Sequence, residues 1–135
     1  MRGYEEVEVV IKGQERVFHF RPATSPAAVA FIERHEDMFA TMKFDPKAST
    51  QERIDVVKDF REAIFPNVEQ YSTVMEMVLD GDHTGIDWYL DARLIPMLAI
   101  VTDWLSRSIA ELHEDMRETS ERFETVAKRA EEAAQ

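Results

Sequence analysis

The sequence predicts an α+β chain that is mainly α: an N-terminal β-hairpin packed on a bundle of about four to five helices, the last of them long. Three observations carry this. Residues 5–21 alternate apolar and polar side chains around a Gly-bearing turn. Residues 25–81 hold three stretches with apolar residues three and four apart, each opened by Ser or Asn and closed by Pro or Asp-Gly. Residues 97–135 contain neither Gly nor Pro.

In the hairpin, a two-residue turn at Gly13-Gln14 places Gly where a positive φ is needed. Lys12 then faces Glu15, Val10 faces Val17, Val9 faces Phe18, Glu8 faces His19, Val7 faces Phe20 and Glu6 faces Arg21. One face gathers Val7, Val9, Phe18 and Phe20, and the other pairs opposite charges. A one-residue slip would scramble both faces. Two strands alone are marginal, so the hairpin must pack on helices or pair with another chain.

Residues 21–24 form a linker. Ser25 caps the first helix, with Pro26 in its first turn. Its stripe is Ala28, Phe31, Ile32, His35, Met38, Phe39 and Met42, and Phe44-Asp45-Pro46 ends it. Ser49 with Glu52 opens a second helix as a capping box, with Ile54, Val57, Phe60 and Ile64 as its stripe and Pro66 as its stop. Asn67 with Gln70 opens a third, whose stripe is Val68, Tyr71, Val74, Met75, Val78 and Leu79 before Asp80-Gly81. The most apolar stretch, residues 86–105, should be the centre of the core, kinked or split at Pro96. From there Leu98, Thr102, Leu105, Ile109, Leu112, Met116, Thr119, Phe123, Val126, Ala130 and Ala133 alternate spacings of four and three. That is a heptad seam of about five repeats. It fits one long helix lying on its own domain in the first half and solvated in the second, and it also fits pairing with a helix of another chain. Glu118 with Arg122 and Glu124 with Lys128 are spaced as i,i+4 ion pairs. The expected organisation is hairpin and linker over 1–24, a helical core over 25–108, and an acidic helical extension over 109–135, partly frayed at its Ala-rich end.

Composition narrows the function. The chain has 135 residues, no Cys and a formal net charge of −11. Residues 1–24 are neutral, with four basic and four acidic side chains, so residues 25–135 carry the whole excess. Such a surface repels phosphate backbones and anionic membranes, so neither nucleic acid nor membrane is an expected partner. The absence of Cys excludes a disulfide framework, cysteine-ligated metals and a thiol nucleophile. No transmembrane run is present, and the N-terminal Met1-Arg2-Gly3-Tyr4-Glu5-Glu6 lacks the basic-then-apolar pattern of a signal peptide, so a cytoplasmic location is expected.

The segment Asp80-Gly81-Asp82-His83-Thr84-Gly85-Ile86-Asp87-Trp88-Tyr89-Leu90-Asp91 places acidic residues at positions 1, 3 and 12 of a calcium loop, with Gly at position 6. Asp80, Asp82 and Asp91 are therefore candidate ligands. Asp in place of Glu at position 12, Asp at the normally aliphatic position 8 and Thr at position 5 argue against calcium. A helix C-cap, a turn and an Asp cap account for the same residues. The four His lack a second His at metal-binding spacing. His19 is expected to pair with Glu8, His35 to be partly buried, and His113 to be solvated among Glu111, Glu114 and Asp115. Ser106 and Ser108 near His113 have no nucleophile elbow or third partner. No catalytic set, metal or cofactor is expected. Seven Met suit a surface that accepts varied apolar segments.

The strand pattern Glu8-Val9-Val10-Ile11-Lys12-Gly13-Gln14-Glu15-Arg16-Val17-Phe18-His19-Phe20, followed by acidic helices and the Trp-bearing stretch 86–106, resembles the tail-assembly chaperones of long-tailed bacteriophages over residues 5–108. The resemblance implies a non-catalytic chaperone that binds the helical tape-measure protein before the tail tube polymerises around it. It also implies self-association into a homo-oligomer and a longer form made by translational frameshifting. In that reading Phe31, Met38, Phe39, Met42, Trp104 and Leu112 are candidate client contacts. The competing class is an acidic mimic that occupies a nucleic-acid-binding protein, or an inhibitor or adaptor protein.

Overall fold

The computed structural model describes residues 5–41 and 46–134, with side chains in 39–41 left out. Strands β1 (Glu6–Ile11) and β2 (Gln14–Phe20) form the hairpin. The turn lies at Lys12-Gly13, not Gly13-Gln14. Both residues have positive φ, 51° and 75°, which matches the right-handed twist of the flanking strands. The register is therefore displaced by two residues from the expected one, with Glu6 opposite His19, Val7 opposite Phe18, Val9 opposite Arg16 and Ile11 opposite Gln14. A displacement of two preserves the faces, because side chains alternate with period two. Val9, Ile11, Phe18 and Phe20 are buried and Val7 is half-buried. The expected charge pairs are rearranged: His19 lies 3.9 Å from Glu6, rather than beside Glu8.

A third strand, β3 (Leu79–Asp80), pairs antiparallel with β2 and makes the order β1-β2-β3. The Arg21 N–H donates to the Val78 carbonyl (2.8 Å) and Arg21 Nε to the Glu76 carbonyl (2.9 Å). These bonds stitch the hairpin to the end of the third helix, which gives the two strands the partner they need.

Helix α1 (Pro26–Thr41) is capped by Ser25, whose Oγ accepts the Ala28 N–H at 3.1 Å. It buries Ala28, Phe31, Ile32 and His35. Its expected stop at Phe44-Asp45 and the side chains of Phe39 and Met42 lie outside the described residues. Helix α2 (Thr50–Ile64) starts at Ser49, whose Oγ accepts the Glu52 N–H. Only the last part of its stripe is covered: Phe60 and Ile64 are buried, Val57 is half-buried and Ile54 is 53% exposed. Helix α3 (Val68–Val78) is capped by Asn67 and buries Tyr71, Val74, Met75 and Val78, while Val68 stays exposed.

A one-turn helix, α4 (Trp88–Asp91), precedes α5 (Leu94–Ala134). Pro96 falls in the first turn of α5, where a missing N–H costs no helical bond. The 41-residue helix therefore runs past it without the expected split, a length of about 60 Å. Its first half is the centre of the core, burying Met97, Leu98, Val101, Trp104, Leu105 and Ser108. The tip of the hairpin is tied to α4, since the Lys12 N–H donates to the Asp91 carbonyl at 3.2 Å. Among the described residues, no helix is long and apolar enough to cross a membrane.

Candidate protein-binding surface

The seam along α5 changes environment as it leaves the body of the protein. Leu98 and Leu105 are buried, while Ile109 and Leu112 are half-covered and packed against the core. From Met116 to Ala134 every residue is exposed. Met116, Phe123 and Val126 are 59%, 69% and 60% exposed. Large apolar side chains at heptad spacing on a solvated helix leave an uncovered stripe.

The polar side of this arm is tied within the helix. Arg117 reaches Glu121 (3.4 Å) and Glu114 (3.9 Å), and the Thr125 hydroxyl donates to the Glu121 carbonyl. The expected Glu118–Arg122 and Glu124–Lys128 pairs are not among those formed. Residues 116–134 hold five acidic and four basic side chains, so the arm is almost neutral and the chain's negative excess lies elsewhere.

At its base the arm is braced. His113 Nε2 lies 2.9 Å from Glu36 Oε1 on α1, so this imidazole, expected among its own helix's carboxylates, instead joins α5 to α1. Arg107 pairs with Asp103 (2.9 Å) and with Glu5, and its guanidinium lies 5.5 Å over the Phe20 ring. A small cavity of about 130 Å³ is lined there by Glu5, Phe20, Arg21, Trp104, Arg107, Ser108 and Glu111. It is smaller than common ligand sites, and the Arg107 charge is already met by two carboxylates.

The candidate client contacts divide. Phe31 is 6% exposed and Trp104 is 1% exposed. Their rings lie 6.1 Å apart, and Trp104 Nε1 donates to the Arg21 carbonyl at 2.8 Å. Both are core residues, which corrects their assignment to a surface. The same three-and-four spacing marks a face that meets its own chain and one that meets another. Met38 and Leu112 are half-buried against the core. Phe39 and Met42 fall outside the described side chains. The exposed residues Met116, Phe123 and Val126, read as seam but not proposed as contacts, are large apolar side chains of the seam that stay uncovered. Falling coverage along the helix distinguishes them, and spacing alone does not carry that signal.

The three calcium candidates are not brought together. Asp80 faces Arg21 Nη1 at 3.4 Å. Asp82 Oδ1 accepts the Thr84 N–H at 2.9 Å, and this bond is the main cause of a carboxyl held below its ordinary value. Asp91 Oδ2 accepts the Asp87 N–H and lies 3.6 Å from Lys12 Nζ. Asp87 caps α4 through the Tyr89 and Leu90 N–H groups. Among the described residues, no three His, Asp or Glu are grouped to hold a metal ion.

Two His are structural. Trp88 Nε1 donates to His83 Nδ1 (3.2 Å) and His83 Nε2 donates to the Leu79 carbonyl (2.9 Å), which assigns the Nε2-protonated tautomer. This pair, with Phe18 5.0 Å from His83, closes the core under the 80–87 loop. His35 packs against Phe31 with ring centroids 4.5 Å apart and the rings tilted by 59°, and burial first, then the Arg34 charge, pushes its imidazole below the ordinary value. Compared with known proteins, the chain matches no family model, no curated protein and no solved structure.

Proposed function

We propose that this protein is a non-catalytic holding protein of the tail-assembly chaperone kind. It binds an amphipathic helix of a partner, in this reading the tape-measure protein, and keeps that helix from mispairing before assembly. It acts in the cytoplasm, as a homo-oligomer, without a cofactor. The observation that carries the proposal is the uncovered heptad seam of α5, with Met116, Phe123 and Val126 more than half exposed on a helix that leaves the body of the protein. A seam of this kind takes an amphipathic helix along its length, as in helix-in-groove and coiled-coil recognition. The globular part supplies the rigid base through His113–Glu36 and Arg107–Glu5. The near-neutral arm favours apolar contact over phosphate mimicry, while the acidic body steers basic client segments.

The test uses the full chain and a synthetic amphipathic helix with Leu and Ile at heptad positions. Binding followed by peptide fluorescence anisotropy is expected to persist from low to high salt and to be lost in Phe123→Asp. Binding that vanishes at high salt, or that Phe123→Asp leaves intact, would overturn the proposal.

A further inference from the structure

We infer that the outer edge of β1 takes an extended basic segment of a partner polypeptide as an added strand, with alternate Lys or Arg side chains of that segment beside Glu6 and Glu8 and the intervening apolar ones on Ala99 and Ile100 of α5. This site is separate from the α5 arm and does not depend on it. It adds capture of an extended segment to the helix capture proposed above.

The backbone supplies the template. The strand order β1-β2-β3 leaves β1 at the edge of the sheet. In a two-residue hairpin the pair that closes the turn exchanges N–H and C=O groups, and every second pair does so after it. Here those pairs are Ile11 with Gln14, Val9 with Arg16 and Val7 with Phe18. The Phe20 N–H donates to the Glu5 carbonyl at 3.1 Å in the same phase. Glu6, Glu8 and Val10 therefore turn their N–H and C=O groups away from β2. Among the described residues, no backbone group pairs with them on that side. One step further, the Lys12 N–H donates to the Asp91 carbonyl, which anchors the tip of the edge to α4. Edges of folded proteins are commonly blunted by Pro or a bulge. The six residues of β1 contain no Pro, and their register with β2 runs without a bulge.

The side chains select the occupant. A groove of about 320 Å³ lies along the start of this edge, walled by Glu6, Val7 and Glu8 on one side and by Ala99, Ile100 and Asp103 on the other. Ala99 is exposed and Ile100 is half-buried, so the helix wall is shallow and apolar and suits short apolar side chains. The other side chains of an added strand lie beside Glu6, Glu8 and Val10, all of which are exposed. The cations at the two ends of the edge are engaged, Lys12 with Asp91 and Arg107 with Asp103 and Glu5. Glu8 sits diagonal to Glu15, and a hydrogen bond to it, then its charge, raise the Glu8 carboxyl. A partner ammonium or guanidinium beside them relieves that repulsion. A second copy of β1 does the reverse, because full antiparallel overlap of two such edges sets Glu8 directly against Glu8. Charge thus favours a basic strand of another polypeptide over self-pairing.

The probe is a fluorescently labelled synthetic peptide of alternating Lys and Val, with a peptide of the same composition in two blocks as control. Anisotropy with the full chain is expected to show binding of the alternating peptide, about 10-fold or more tighter than the block peptide. In hydrogen exchange the Glu6, Glu8 and Val10 amides should slow about 10-fold or more in the complex. Two further peptides are N-methylated, one at every Lys and one at every Val. One of them should lose binding, the Lys set for an antiparallel strand and the Val set for a parallel one. Val10→Pro removes one outward donor and leaves every charge and the β2 pairing in place. It should weaken binding about fivefold, the worth of one hydrogen bond. The N-methylated peptides make the same test on the unaltered chain. Glu6→Lys with Glu8→Lys should lose the Lys-Val peptide and gain a Glu-Val peptide. Phe123→Asp, on the arm, should change nothing. Absence of binding, equal binding of the block peptide, retention of both N-methylated peptides or unprotected Glu6, Glu8 and Val10 amides would each overturn the inference. Loss of binding in Phe123→Asp would put the peptide on the arm and overturn it as well, while leaving the reading of the arm intact.

Discussion

Replacing Trp104 by Ala separates a core role from a contact role. The side chain is 1% exposed, packs on Phe31 and donates its indole N–H to the Arg21 carbonyl. Truncating a buried Trp costs about 3–5 kcal/mol through lost transfer energy and the cavity left behind. Leaving the Arg21 carbonyl without its donor adds about 1 kcal/mol. The sum, about 4–6 kcal/mol, is a large share of the about 7–20 kcal/mol expected for a chain of this length at about 0.05–0.15 kcal/mol per residue. In urea, with an m-value of about 2 kcal/mol/M, the midpoint should fall by about 2–3 M. Circular dichroism at the helical minimum reads this, and the remaining Trp88 gives an independent fluorescence probe of the core. Trp104→Phe keeps most of the volume and should lose about 1–3 kcal/mol, chiefly through the orphaned carbonyl. A surface residue waiting for a client would cost at most about 0.5 kcal/mol on truncation. A loss for Trp104→Ala below about 1 kcal/mol would therefore refute the docking of α5 against the hairpin and the linker.

Four further outcomes follow from the geometry. Gly13→Ala should cost about 1–2 kcal/mol, because Gly13 has φ 75° with nothing near its missing Cβ, so only the left-handed conformation is strained. Gly81→Ala should cost more in the same denaturation assay, because a Cβ there would sit 2.6 Å from the Phe18 ring in the core as well as strain φ 155°. The burial that depresses the His35 imidazole makes its folded-state value lower than its unfolded one. Its contribution is thus present above the ordinary imidazole range and is lost as pH falls through it towards the depressed value; His35→Leu should flatten that part of the stability–pH curve. The opposite sign holds for Glu8, whose carboxyl is raised by a hydrogen bond to Glu15 and by its charge. Its favourable share is present below the ordinary carboxylate range and is lost as pH rises, so Glu8→Gln should remove an acid-side gain and leave the neutral protein as stable or more so, by urea unfolding at each pH.

Local chemistry was legible in the sequence where one segment decides it alone. Ser25, Ser49 and Asn67 cap their helices because a short hydroxyl or amide oxygen meets an N–H two or three residues ahead, whatever the rest of the chain does. The hairpin faces were legible too, since alternation survives the two-residue displacement that the Lys12-Gly13 turn imposes. So was the heptad seam, because its period is a property of one helix. Tertiary structure decided what depends on a second segment. Leu79–Asp80 is too short to show a strand period, and it becomes β3 only because β2 lies beside it with backbone groups to pair. Pro96 reads as a breaker until Ala92-Arg93 ends the preceding turn and places it in the first turn of α5. Periodicity marks Phe31, Leu105, Met116 and Phe123 alike as apolar, and only the packing of α1, α3 and the hairpin against the near half of α5 buries the first two and leaves the others in water. Burial is set by how many elements reach a face, and a single sequence records the face without recording what arrives to cover it.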